Sequence, residues 1–170
     1  FMNVEYVNNK YRDLTTKYKY NPIPLNDDMS RKIFSGIETQ HVHSKNDKVW
    51  KDGEIKKHVH WYPVSYAEYK ESEGKNEEYK IIEYTESDRE EYGNEIPECV
   101  SVIGAWCFSD CSSLTTLSIP SSVSVIGDSC FYGCESLKSI SIPSSVSVIG
   151  DRCFYGCESL KSISIPSSVS

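Results

Sequence analysis

The chain is expected to fold as a mainly β solenoid with short helices, its strands side by side in a parallel sheet. Three observations predict this. The first is a tandem repeat of 23 residues, spanning Ile96–Ser118, Ile119–Ser141 and Ile142–Ser164, with a partial unit over Ile165–Ser170. The second is that apolar residues recur at the same places in each unit. In the third unit these are Ile142, Val146, Ile149, Phe154, Leu160 and Ile163. One unit cannot bury such residues alone, so copies must stack, each packing only on its neighbours. The third is punctuation: a proline opens each unit and a glycine recurs in register.

Composition divides the chain near Glu95. Residues 1–95 carry 15 of the 18 Lys and Arg, 19 of the 25 Asp and Glu and all four His, whereas all seven Cys lie in residues 96–170. We therefore expect a capping region over 1–95 and the repeats over 96–170. Both parts are net negative, 15 − 19 = −4 and 3 − 6 = −3. That excludes the basic stripe a nucleic-acid binder needs and attraction to anionic membranes. No apolar run approaches the roughly 18–20 residues of a membrane helix, so no membrane insertion is expected. No secretory signal is visible, which leaves cell surface and cytoplasm both open. A chain that starts at Phe1 and stops inside a unit reads as a fragment, so further repeats or a cap are expected beyond Ser170.

The elements follow in chain order. Phe1, Val4, Val7, Tyr11 and Leu14 recur at helical spacing, so an amphipathic helix is expected over 1–18, ended by Asn21-Pro-Ile-Pro24. Strand-like runs come next at Glu38–His43, Lys57–Tyr62 and Lys80–Thr85, separated by polar loops at Ser44–Asp52 and Glu71–Glu78. Together they would cover the open end of the solenoid. Within the array, Leu160-Lys-Ser-Ile-Ser-Ile165-Pro166 alternates as a short strand does, with Leu160, Ile163 and Ile165 inward. Gly150 is expected to allow a turn with positive φ, and Cys153-Phe-Tyr-Gly-Cys157 a tight bend.

The pattern L-x-x-I-x-I-P-x-x-V-x-x-I-G-x-x-C-F-x-x-C-x-x-L, matched from Ile96 to Ser170, resembles the BspA-like leucine-rich repeats. These occur in bacterial surface proteins and in large families of parasitic protists, amoebae included. The resemblance implies a leucine-rich repeat solenoid and an adhesion-type, non-enzymatic role. Cys107, Cys130 and Cys153 stand where that family more usually has Ala. Looser resemblance to amoebal members extends to Asn21–Pro24, Ile37–His43 and Trp61–Tyr66. There Gly36–His43 reads as a degenerate repeat strand with Ile37, Gln40 and Val42 inward, Gln40 occupying an apolar slot.

The histidines form two His-Val-His runs, His41/His43 and His58/His60. Alternate strand residues share a face, so neighbouring strands can offer four imidazoles to one Zn²⁺ or Cu²⁺. The competing reading is two wet strand faces with Val42 and Val59 inward. The pairs Cys107/Cys111, Cys130/Cys134 and Cys153/Cys157 obey the repeat period, which favours a structural ladder of small buried thiols over disulfides or zinc. Cys99 replaces Ser122 and Ser145 of later units and should face the surface. No cofactor or catalytic arrangement is expected. The outward strand positions Thr116, Ser118, Ser139, Ser141, Ser162 and Ser164, edged by Lys138 and Lys161, are the candidate ligand contacts. The partner would be a protein, a glycan or matrix, and an intracellular scaffold or substrate receptor is the alternative role.

Overall fold

The computed structural model describes residues 18–170. The helix expected over 1–18 lies, but for Tyr18, outside the described residues. The chain divides into two units: the first holds residues up to Pro63 together with Ser72–Lys80, the second Val64–Glu71 and Ile81–Ser170.

In the first unit, helix α1 (Asp28–Ile33) is started by Asp27. The Asp27 carboxylate accepts from the Ser30 backbone N–H at 2.6 Å, and the Ser30 hydroxyl faces the Asp27 N–H at 3.3 Å. This reciprocal capping satisfies donors that the first helical turn leaves free. Strand β1 (Thr39–Val42) pairs in parallel with β2 (Lys57–Ser65), Thr39 opposite Lys57 and Val42 opposite His60. Tyr20 bridges Thr39, and Asn21 completes that edge: its side chain accepts from the His41 N–H at 2.6 Å and donates to the His41 carbonyl at 2.7 Å. Leu25, Phe34, Ile37 and Ile55 form the apolar core, with Trp50 packed against it.

Gln40 is fully buried in the predicted inward slot beside Ile37 and Val42. It is tolerated because its amide donates to the Lys48 carbonyl at 2.7 Å and accepts from the Trp50 N–H at 2.9 Å. A buried amide so satisfied avoids the roughly 1–3 kcal/mol that unpaired polar groups cost.

The second unit contains α2 (Tyr66–Glu71), the end of β3 (Glu77–Tyr84), α3 (Glu86–Tyr92) and the repeats. Thr85 and Asp88 cap α3 as Asp27 and Ser30 cap α1. The buried Asp88 carboxylate also accepts from the Ala67 N–H at 2.8 Å and fixes the start of α2. In the array, β4 (Val102–Ile103), β6 (Val125–Ile126) and β8 (Val148–Ile149) stack in parallel, with β3 alongside β4. A second parallel pair is β5 (Thr116–Ser118) with β7 (Ser139–Ser141).

The parallel sheet expected from the Leu-x-x-Ile-x-Ile run is thus present as β5 and β7, and the Val-Ile-Gly segments add a further set of strands. The bends form a third ladder, with the Phe108 N–H on the Cys130 carbonyl at 2.8 Å and the Phe131 N–H on the Cys153 carbonyl at 2.9 Å. Each coil therefore hydrogen-bonds the next along three lines.

Two sequence expectations are corrected. Gly150 does not take positive φ; Gly133 and Gly156 do, as do Trp106, Asp110, Ser129 and Arg152. The small residue before the bend is needed for space. A Cβ on Gly127 would lie 2.5 Å from the Ala105 nitrogen, and one on Gly150 would strike Asp128. Ile165 is 47 % exposed rather than inward. Burial of a coil comes from its neighbour on each side. The middle coil buries Ile119, Val123, Ile126, Phe131 and Leu137, whereas Ile142, Ile149, Phe154, Leu160 and Ile163 are half-buried.

Candidate functional site

Along β5 and β7 the side chains alternate. Leu117 and Ile140 are half-buried and in register, while Thr116, Ser118, Ser139 and Ser141 are exposed. Ser162, Ser164, Lys138 and Lys161 are exposed as well. The array uses two kinds of serine. Ser124 and Ser147 donate to the preceding coil's Ser101 and Ser124 carbonyls at 3.2 Å, and Ser145 donates to Val123 at 2.7 Å. These hydroxyls tie coil to coil. The hydroxyls of Thr116, Ser118, Ser139, Ser141, Ser162 and Ser164 have no hydrogen-bond partner among the described residues. They face solvent.

A second row follows the bends. Tyr132 and Tyr155 stack at 5.3 Å between centroids, and Trp106 lies 5.8 Å from Tyr132. Trp106 is 50 % and Tyr155 64 % exposed. Behind them Phe108, Phe131 and Phe154 form a continuous stack with 5.4 Å between successive rings.

None of the seven cysteines is joined in a disulfide. Cys107, Cys130, Cys134 and Cys153 are buried, and Cys111 and Cys157 are half-buried. Cys134 donates to the Phe108 carbonyl at 3.0 Å and Cys157 to the Phe131 carbonyl at 3.2 Å, so this position makes a weak rung to the previous coil. Cys99 is half-buried, not at the surface. Its serine counterparts Ser145 and Ser168 turn towards the preceding coil's carbonyls, which explains the partial cover. Burial pushes Cys134 and Cys153 up to about 12, and Cys107 and Cys130 also well upwards. An activated cysteine needs the opposite shift and an exposed sulfur.

The histidines do not meet at one point. In the β1/β2 register Gln40 faces His58 and Val42 faces His60, so His41 and His43 lie on the other side of the sheet. His58 and His60 are buried, contrary to the wet-face reading, because they share the face of the fully buried Gln40 and Val42. Both reach Glu77: His58 Nδ1 at 3.2 Å and His60 Nε2 at 2.7 Å. The remaining nitrogens meet the Trp50 carbonyl at 3.0 Å and the Tyr62 hydroxyl at 3.0 Å. Every ring nitrogen of this pair is occupied by protein. Among the described residues, no group of three or more His, Cys, Asp or Glu is arranged to hold a metal.

His41 instead lies in an open cleft with Tyr20, Asn21, Pro22, His43 and Trp61. The Tyr20 ring stacks on His41 at 4.3 Å, and Trp61 stands 5.5 Å from His41 at 51°. Nothing in the sequence pattern joined Tyr20 to Trp61, which are 41 positions apart and meet only through β1. Beside the cleft, Glu78 binds Lys57 and Lys80, and these hydrogen bonds hold its carboxyl down at about 2. No helix of the described residues is long and apolar enough to cross a membrane.

No curated protein matches the chain. Among solved structures it is similar to a leucine-rich repeat protein from Bacteroides ovatus, at 24 % identity and a TM-score of 0.37. The match covers 74 % of this chain and 30 % of that one, so the chain spans under a third of that protein's length. The stacked coils and their 23-residue period agree with the family comparison: residues 93–170 match a family described as "BspA type Leucine rich repeat region (6 copies)".

Proposed function

We propose that this chain is a non-enzymatic, adhesion-type interaction protein, which holds a protein or matrix ligand against the row formed by Thr116, Ser118, Ser139, Ser141, Ser162 and Ser164. Leucine-rich repeats support protein interaction in general. The observation that carries the finer reading is the division of labour among the serines: Ser124, Ser145, Ser147 and Ser168 are bonded to the preceding coil, the Ser122 hydroxyl is buried without a partner, and those in this row are exposed with no partner among the described residues. Lys138 and Lys161 add a pair of cations at its edge. Repetition along the row would add avidity from individually weak contacts.

Binding of the purified chain to matrix-coated wells tests the surface. Ser139→Trp with Ser162→Trp is expected to lower it about tenfold or more, against unchanged melting. Binding equal to the parent chain would discard the row. Protease shaving of intact cells tests the location. Loss of the protein supports adhesion, and full protection favours an intracellular scaffold or substrate receptor built on the same repeats.

A further inference from the structure

We propose that the cleft of Tyr20, Asn21, Pro22, His41, His43 and Trp61 in the first unit is a saccharide-binding site, which takes one neutral pyranose against its aromatic walls. Tyr20 and Trp61 are each 45 % exposed and line the same cleft. Large rings left half in water at a concave site are a ligand-binding feature rather than a packing one.

The geometry selects among ligands. Tyr20 and His41 are stacked in direct contact, with a 7° angle between ring planes, so no slot is open between them for a flat aromatic ligand to enter. Trp61, tilted by 51° against His41, makes an open corner instead. An open corner suits one-sided stacking, as the CH-bearing face of a pyranose makes.

The polar groups point the same way. The ring nitrogens of His41 and His43 have no hydrogen-bond partner among the described residues. A neutral imidazole offers one donor and one acceptor, and a sugar hydroxyl can serve both. A proline-rich peptide presents carbonyl acceptors and would leave the acceptor nitrogens unmet. Burial, then His43 and Lys80, lower the His41 pKa and favour its neutral form. The charges alongside are committed to each other, since Glu78 binds both Lys57 and Lys80. The Lys80 ammonium, 5.6 Å above the Trp61 ring, closes one side. Nothing here favours an ionic ligand. This site belongs to the first unit and the serine row to the second, and neither reading depends on the other.

The experiment is a titration of the whole chain with methyl glucoside, methyl galactoside, methyl mannoside, N-acetylglucosamine and a proline-rich peptide. Tryptophan fluorescence and amide chemical-shift mapping are the readouts. At least one sugar is expected to bind with Kd about 1 mM, shifting the amides of Tyr20, His41 and Trp61. Trp61→Ala and His41→Ala should each weaken it about tenfold or more without lowering Tm. Ser139→Trp should leave it unchanged. No binding by any sugar, shifts confined to other residues, or the peptide binding in place of the sugars would each overturn the proposal. Mapping on the unaltered chain keeps the outcome decisive even if a variant fails to fold.

Discussion

The two units bury different things. The first buries Asn21, Arg31, Gln40, His58 and His60, each with a partner, whereas the second buries only Asp88 and Ser129 among its polar side chains described. In the first unit the Arg31 guanidinium reaches Asp52 at 2.6 Å and Glu54 at 2.7 Å, and Glu77 serves two imidazoles. In the second, phenylalanines, thiols and aliphatic residues repeat as ladders. A periodic unit can use the same apolar residue at each level because each level has the same neighbours. An aperiodic unit has no such economy. Its polar groups are satisfied one at a time, by residues distant in sequence.

The largest effect that would sharpen this contrast is in the array. Phe131→Ala removes the middle ring of three and should destabilise the second unit by about 3–5 kcal/mol, measured by urea unfolding. Less than about 1 kcal/mol would fall below even the roughly 1.5–3 kcal/mol expected from burying the ring and would contradict the packed stack. Gln40→Leu probes the first unit. It strands the Lys48 carbonyl and the Trp50 N–H, and should cost about 1–3 kcal/mol. A neutral or stabilising outcome would break the comparison, since the slot would then behave like a repeat position.

The pH dependence should separate the units by sign. Asp27, Glu38, Asp52 and Glu78 all have lowered pKa values: backbone hydrogen bonding from Ser30, and side-chain bonds from Lys56, Arg31 and Lys57, favour their charged forms. A depressed folded-state pKa gives stability that is present above the unfolded value and lost as pH falls through the folded one. The first unit should therefore weaken from about pH 4.5 down to pH 2. The buried thiols of the second unit are raised by desolvation, Cys134 and Cys153 to about 12. Their contribution is complete below the unfolded thiol pKa and is lost as pH rises from about 8.5 towards 12. Urea titrations can resolve this, with Trp50 and Trp61 reporting the first unit and Trp106 the second. Coincident transitions at every pH would contradict it.

The smallest change expected is at the one position where units two and three differ. Ser129 and Arg152 both hold φ near the left-handed region, at 52° and 54°. Arg152 is exposed, and asparagine adopts that conformation more readily. Arg152→Asn should raise stability by about 0.5–1 kcal/mol, read as a small rise in Tm.

The stacking of the array was legible because a 23-residue period leaves one solution for burying Phe131, Leu137 and Ile126. The strand runs at 38–43, 57–62 and 80–85 were also visible, and they fall on β1, β2 and β3. The helices were not. At six or seven residues they are too short for a 3.6-residue period, and only their Asp27/Ser30 and Thr85/Asp88 capping pairs signal them. β4, β6 and β8 have two residues each, too few to alternate. The histidine geometry was hidden for another reason. On β2 it is the histidine face that is buried, with Val59 buried on the other, so its polar-apolar alternation does not mark the wet side, and the facing of His41 depends on a register that no local pattern encodes. The cleft shares that opacity, because Tyr20 and Trp61 are brought together by pairing across β1.

The three ladders between coils have a consequence for how such a gene can change. Each coil offers its successor the same donors and acceptors that its predecessor offers it, as the Phe108–Cys130 and Phe131–Cys153 backbone bonds illustrate. Unequal recombination between the near-identical stretches encoding Ile119–Ser141 and Ile142–Ser164 would insert or remove one coil and leave every junction chemically familiar. Copy number becomes a heritable variable that length polymorphism can adjust without inventing a new interface, and the span of the exposed rows would vary with it.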